Sequence, residues 1–69
     1  MRYFATIEIL SRTRAIVELT DARGEWAGGG LVTVRYGGRA QLYEEGYIVA
    51  AQSATAKGGR LETYREVHA

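Results

Sequence analysis

The residues best suited to chemistry in this chain are clustered glycines, one tryptophan and a few scattered carboxylates. The stretch GEWAGGGLV holds the sole tryptophan, Trp26, and then Gly28-Gly29-Gly30, with Gly37-Gly38 soon after. A loop that cradles phosphate places its glycines after a strand and before a helix, so that backbone N–H groups and the helix N-terminus face the anion. Gly28 to Gly30 instead precede a strand. No Gly-Lys-Ser/Thr follows them and the spacing G-x-G-x-x-G is absent. Phosphate binding is therefore not expected. Glycine within a strand marks a bulge or a close backbone approach, so the trio reads as a bend inside a strand.

Catalytic and metal chemistry find little to work with. The chain has no cysteine, which excludes disulfides and thiolate metal sites, and the single His68 has no partner at metal-ligand spacing. Ser11 and Ser53 have no histidine near them in sequence. Asp21 is the one aspartate and is best used by a turn. Glu44 and Glu45 are adjacent, so on a helix their side chains diverge by about 100°, whereas acid–base work needs convergence in a cleft. Glu62 and Glu66 are balanced by Arg60 and Arg65 and read as a solvated strand face. No catalytic, cofactor or metal residue is assigned, and the chain is not expected to be an enzyme.

Recognition residues are better represented. Trp26, five tyrosines and eight arginines are present, and Trp, Tyr and Arg dominate binding hot spots. Tryptophan is more often packed than exposed, so the first reading of Trp26 is packing at a sheet end. Its alternative is an exposed anchor, and Trp26, Arg23 and Tyr36 are the candidate protein-binding residues. Nucleic-acid binding would use Arg35, Arg39, Arg60 and Arg65 beside Tyr36 and Tyr64. Net charge is only +1, and the expected open sheet face mixes Arg2, Arg14 and Arg35 with Glu8 and Glu18, which favours cross-strand pairing over a phosphate track.

These residues must be positioned by a single small domain. At 69 residues the chain buries only about 60% of its unfolded surface, so regular packing or self-association must supply stability. Residues 2–10 alternate, with Tyr3, Ala5, Ile7 and Ile9 on one face, and Arg2, Thr6 and Glu8 on the other beside Phe4 and Leu10. Residues 14–20 alternate again with Ala15, Val17 and Leu19 inward and Ile16 breaking the pattern. The two strands form a hairpin across Ser11-Arg12-Thr13. Asp21-Ala22-Arg23-Gly24 reads as a three-residue hairpin loop that closes on a left-handed glycine. The third strand then runs from Glu25 and Trp26, is interrupted by the glycine trio, and continues from Leu31 to Tyr36, with Val32, Val34 and Tyr36 sharing a face.

Residues 39–57 are expected to be helical. Tyr43, Tyr47, Ala50, Ala51 and Ala54 cluster on one side of the wheel and Gln41, Glu44, Glu45 and Gln52 on the other, with Ile48 misplaced. Gly58 stands where a left-handed residue ends a helix, and Gly46 costs about 1 kcal/mol against alanine. Residues 60–67 return as a strand whose facing is ambiguous, because Leu61 and Val67 share one parity and Tyr64 takes the other. The predicted fold is α+β, a small antiparallel sheet with one helix packed on one face in the order β-β-β-α-β. Strands in place of the helix would make a small all-β barrel.

The opening Met1-Arg2-Tyr3-Phe4-Ala5-Thr6-Ile7-Glu8 is similar to the start of HicB-type antitoxins, and β-β-β-α-β fits that fold. The proline-rich segment of that family has no counterpart in this proline-free chain. The start lacks the apolar core of a signal peptide, and no apolar run approaches the roughly 18 residues of a membrane span. The expectation is a cytoplasmic, non-catalytic interaction protein without cofactor. It binds another protein or self-associates as a homo-oligomer, as an inhibitor or regulator of the kind mobile elements carry. The alternative is a nucleic-acid-binding regulator.

Overall fold

In a computed structural model that describes residues 1–68, the chain runs β1 (Arg2–Ile9), β2 (Arg14–Asp21), β3 (Trp26–Thr33), α1 (Arg39–Ala56) and β4 (Arg60–Glu66). The alternation in the first two strands does what period 2 requires. Tyr3, Ala5, Ile7, Ala15, Val17 and Leu19 are all buried on one face. They meet across an antiparallel register that pairs Ala5 with Leu19 and Ile7 with Val17. The second hairpin closes as its sequence predicts. Asp21 N donates to Glu25 O at 2.9 Å and Gly24 N to Asp21 O at 3.0 Å, and Gly24 takes φ 83°.

The sheet order is β3-β2-β1-β4. The chain leaves β3 at one edge, crosses the sheet in α1, and returns as β4 at the other edge, parallel to β1. A parallel neighbour needs such a crossover, which a hairpin cannot supply. The sheet is thus an antiparallel meander completed by one parallel strand, open at both edges, and the barrel alternative does not occur.

Both edge strands carry a bulge. The β1–β4 register slips between Tyr3 and Phe4, leaving Glu62 without a direct partner. That slip resolves the parity conflict in β4: Leu61 and Tyr64 both pack toward the core, although an uninterrupted strand would send them to opposite faces. The β2–β3 register slips likewise between Leu19 and Thr20, leaving Ala27 unmatched. The glycine trio itself does not interrupt the strand. β3 passes through Gly28 to Gly30 and ends at Thr33, three residues short of the expected Tyr36.

Helix α1 buries Ala50 and Ala54 as its sequence-derived wheel predicts, but in its first half the contact face is rotated away from Tyr43 and Tyr47. Its buried residues are Leu42, Gly46, Ala50 and Ala54. Tyr43 and Tyr47 are exposed at the flank. Gly46 explains the rotation. A Cβ there would collide with the Tyr64 hydroxyl and would lie 2.6 Å from Ile7 Cδ1 and 3.2 Å from Val17 Cγ2. The helix comes this close to the sheet because only backbone stands at its point of nearest approach. At its C-terminal end, Gly58 N donates to Thr55 O at 2.9 Å and Gly59 N to Ala54 O at 3.0 Å, a Schellman stop with Gly58 at φ 78°. Ile7, Leu19, Leu42 and Val17 are the largest fully buried side chains, each worth about 1.5–3 kcal/mol. Among the described residues no helix is long and apolar enough to cross a membrane.

Candidate functional site

The helix covers one face of the sheet, and the other is bare. Strand register assembles that bare face in rows. Thr20 opposes Trp26 on one side and Phe4 on the other, and Phe4 opposes Thr63. In the next row Glu18 and Thr6 are followed by Arg65, and beyond it Leu31, Ile16 and Glu8 stand side by side. Directly opposed residues point to the same side of a sheet. Trp26, Phe4, Ile16 and Leu31 therefore share one surface. Trp26 is 68% exposed and Leu31 59%, while Phe4 and Ile16 are half-buried by their neighbours.

Trp26 is accordingly not packed at a sheet end, as its residue type suggested. The tight Asp21–Gly24 turn sets its direction. Asp21 Oδ1 accepts from Arg23 N at 2.9 Å and from Glu25 N at 3.0 Å, which fixes the entry into β3, and the bulge at Ala27 then turns Trp26 toward the open face. Arg23 lies exposed at the tip of the same hairpin. Tyr36 is 81% exposed, but it lies beyond the opposite end of β3, so the structure groups Trp26 with Arg23 and separates both from Tyr36. Phe4, Ile16 and Leu31 complete the surface and were not singled out from sequence. Two of them carried a signal: Phe4 and Ile16, like Leu10, are apolar residues on the outward parity of otherwise alternating strands.

The four arginines of the nucleic-acid alternative are dispersed. Arg35 lies exposed between β3 and α1, and Arg39 opens α1 and pairs with Glu66. Arg60 pairs with Glu62 at 2.9 Å. Arg65 stands beside Thr6 on the bare face, at the opposite end of β4 from Arg60.

A second surface lies where α1 meets β4. Tyr64 donates to Tyr43 O at 2.7 Å, and Tyr43 donates back to Tyr64 O at 3.4 Å. The Tyr64 ring sits 4.7 Å from Tyr43 and 5.5 Å from Tyr47, centroid to centroid. Burial, then the neighbouring Tyr43 and Glu66, push the Tyr64 hydroxyl up to about 12. Arg39, Tyr43, Glu44, Tyr47 and Glu66 line a shallow groove of about 680 Å³ outside this cluster. The reciprocal hydrogen bonds make the cluster a clamp between helix and edge strand. Among the described residues no group of three or more His, Asp or Glu is gathered closely enough to hold a metal ion.

No protein-family model matches the chain, and no curated protein and no solved structure matches it. The likeness of Met1 to Glu8 to HicB-type antitoxins has no family match behind it.

Proposed function

We propose that this chain is a small non-catalytic interaction protein whose bare sheet face receives a protein partner. The observation that carries this reading is the exposure of Trp26 and Leu31 on the same sheet face as Phe4 and Ile16, the face that α1 leaves open. Thr20 stands between Trp26 and Phe4, and the row of Glu18 and Thr6 separates that pair from Leu31 and Ile16, so the surface is mixed, with apolar contacts set among hydrogen-bonding and charged groups. Burying the exposed parts of Trp26 and Leu31 is worth on the order of 4 kcal/mol in gross transfer energy. Association costs at least about that much in lost rigid-body freedom. Two side chains are thus insufficient alone, and a partner must cover Phe4 and Ile16 as well.

The test uses Trp26→Ala, a substitution on an exposed side chain that leaves the core intact. In-cell cross-linking followed by purification compares the proteins captured by wild type and variant. The expected result is a specific partner that Trp26→Ala loses, with unchanged thermal stability. Identical capture by both proteins refutes the reading. Binding to DNA or RNA that falls steeply with salt and ignores Trp26→Ala puts the nucleic-acid regulator in its place.

A further inference from the structure

The two edges of this sheet are chemically unequal. β4 carries Arg60, Glu62, Arg65 and Glu66, the charged protection usual for an edge strand. β3 reads WAGGGLVT and has no charged residue and no proline. Its bulge at Ala27 lies at one end, so Gly28 to Thr33 pair with β2 without a register slip and form an uncharged, nearly bare edge. Lys57 reaches one end of it, with its Cε 3.5 Å from where a Cβ on Gly28 would lie, and Arg14 stands opposite Thr33 at the other.

Gly30 is a strand glycine that the single chain does not explain. Gly29 must be glycine, because a Cβ there would run into the Val17 carbonyl oxygen. Gly30 has nothing within 4 Å of a Cβ and does not take a left-handed backbone. Glycine in a strand interior costs roughly 0.5–1 kcal/mol against alanine, and nothing in the monomer requires it at this position.

We infer that β3 pairs antiparallel with β3 of a second copy of this chain, about a two-fold axis at Gly30, giving one continuous sheet across both copies. This rests on the interaction reading above and names an edge partner in addition to the face partner. A two-fold axis perpendicular to the sheet keeps like faces together, so the register must be centred on a residue. Gly30 and Leu31 are the two central residues of this six-residue segment, and Gly30 is the one whose residue type the single chain leaves unexplained. Centring there sets Gly29 against Leu31 of the other copy and Gly28 against Val32. The exposed Leu31 then lies over a residue with no side chain, and the two copies of Leu31 become diagonal neighbours. An uncharged strand brings no like charges together across the axis. Packing the bare faces against each other would instead bury Glu8, Glu18, Arg14 and Arg65, at a desolvation cost that edge pairing avoids. The uncharged edge is about 20 Å long, short for a standard interface, so the dimer exchanges with monomer.

The cysteine-free chain permits a direct test. Gly30→Cys places its thiol at the axis, where directly opposed antiparallel residues stand about 4.5–5.5 Å apart, within disulfide range. Mild oxidation is expected to give a covalent dimer at least ten-fold faster than for Thr55→Cys, an exposed control on α1. Light scattering is expected to give a mass that rises toward dimer with concentration, and Leu31→Lys is expected to return it to monomer. A monomer mass at every concentration, or equal cross-linking of the two cysteine variants, overturns the pairing. Trp26→Ala reads the face and not the edge, so its partner loss stands or falls separately.

Discussion

Gly46→Ala separates helix propensity from tertiary fit. Considered alone, the helix gains about 1 kcal/mol from this change. The added methyl would meet Ile7 Cδ1 at 2.6 Å, Val17 Cγ2 at 3.2 Å and the Tyr64 hydroxyl. Ile7 and Val17 are fully buried and have no free space to move into, and overpacking of this kind costs about 1–3 kcal/mol. Displacing Tyr64 also strains its 2.7 Å hydrogen bond to Tyr43 O, a further cost of about 0.5–1.5 kcal/mol. The expected net effect is a loss of about 2 kcal/mol. For a domain of this size that lowers Tm by roughly 8–16 °C. Thermal unfolding followed by far-UV circular dichroism, with urea titration for the free energy, measures it. Tyr64→Phe in the Gly46→Ala background removes the clashing hydroxyl and is expected to cost less than the sum of the two single changes. A Gly46→Ala protein as stable as wild type, or more stable, refutes the close-approach argument and leaves propensity in charge.

Three further outcomes follow from the same geometry. Asp21→Ala removes the acceptor that holds the Arg23 and Glu25 amides and is expected to cost about 1 kcal/mol in urea unfolding, while Asp21→Asn keeps an acceptor oxygen and retains most of that stability. Leu42→Ala empties a fully buried position under α1 and is expected to cost about 2–5 kcal/mol, enough to leave a domain this small largely unfolded by circular dichroism. Tyr64 titrates near 10 in the unfolded chain and is pushed up to about 12 in the fold. Its contribution is therefore fully present below pH 10 and is lost as pH rises through 12, because the folded state holds the proton more tightly. Stability measured from pH 9 to 12 is expected to decline, and Tyr64→Phe is expected to flatten that decline.

Local chemistry made the element order readable. Alternation in β1 and β2, the Asp21–Gly24 turn and the Gly58 stop each depend on residues close in sequence, and each appears where its pattern places it. The face of α1 was harder to read. The wheel places Tyr43, Tyr47, Ala50, Ala51 and Ala54 inward; Ala50 and Ala54 are buried, but the sheet lies too close for the two tyrosines, and Leu42 and Gly46 take the contact there. The candidate surface was half legible. Trp26 and Arg23 stood out by type, but type alone favoured burying Trp26, and the companions Phe4, Ile16 and Leu31 emerged only once the strands were laid in order.

Residues near one another along the chain were enough to show which segments alternate, where they turn, and that one helix lies between the third strand and the last. Those are short-range properties, fixed by backbone preference and the spacing of apolar residues. Tertiary structure alone decided that β4 joins β1 in parallel and that bulges at Ala27 and Glu62 reset the facing of both edges. It also decided that Gly46 is a contact point. The physical reason is shared: strand register and helix–sheet distance are set by pairing between residues far apart in the chain, and a one-residue slip at Ala27 is enough to determine which side of the sheet Trp26 faces.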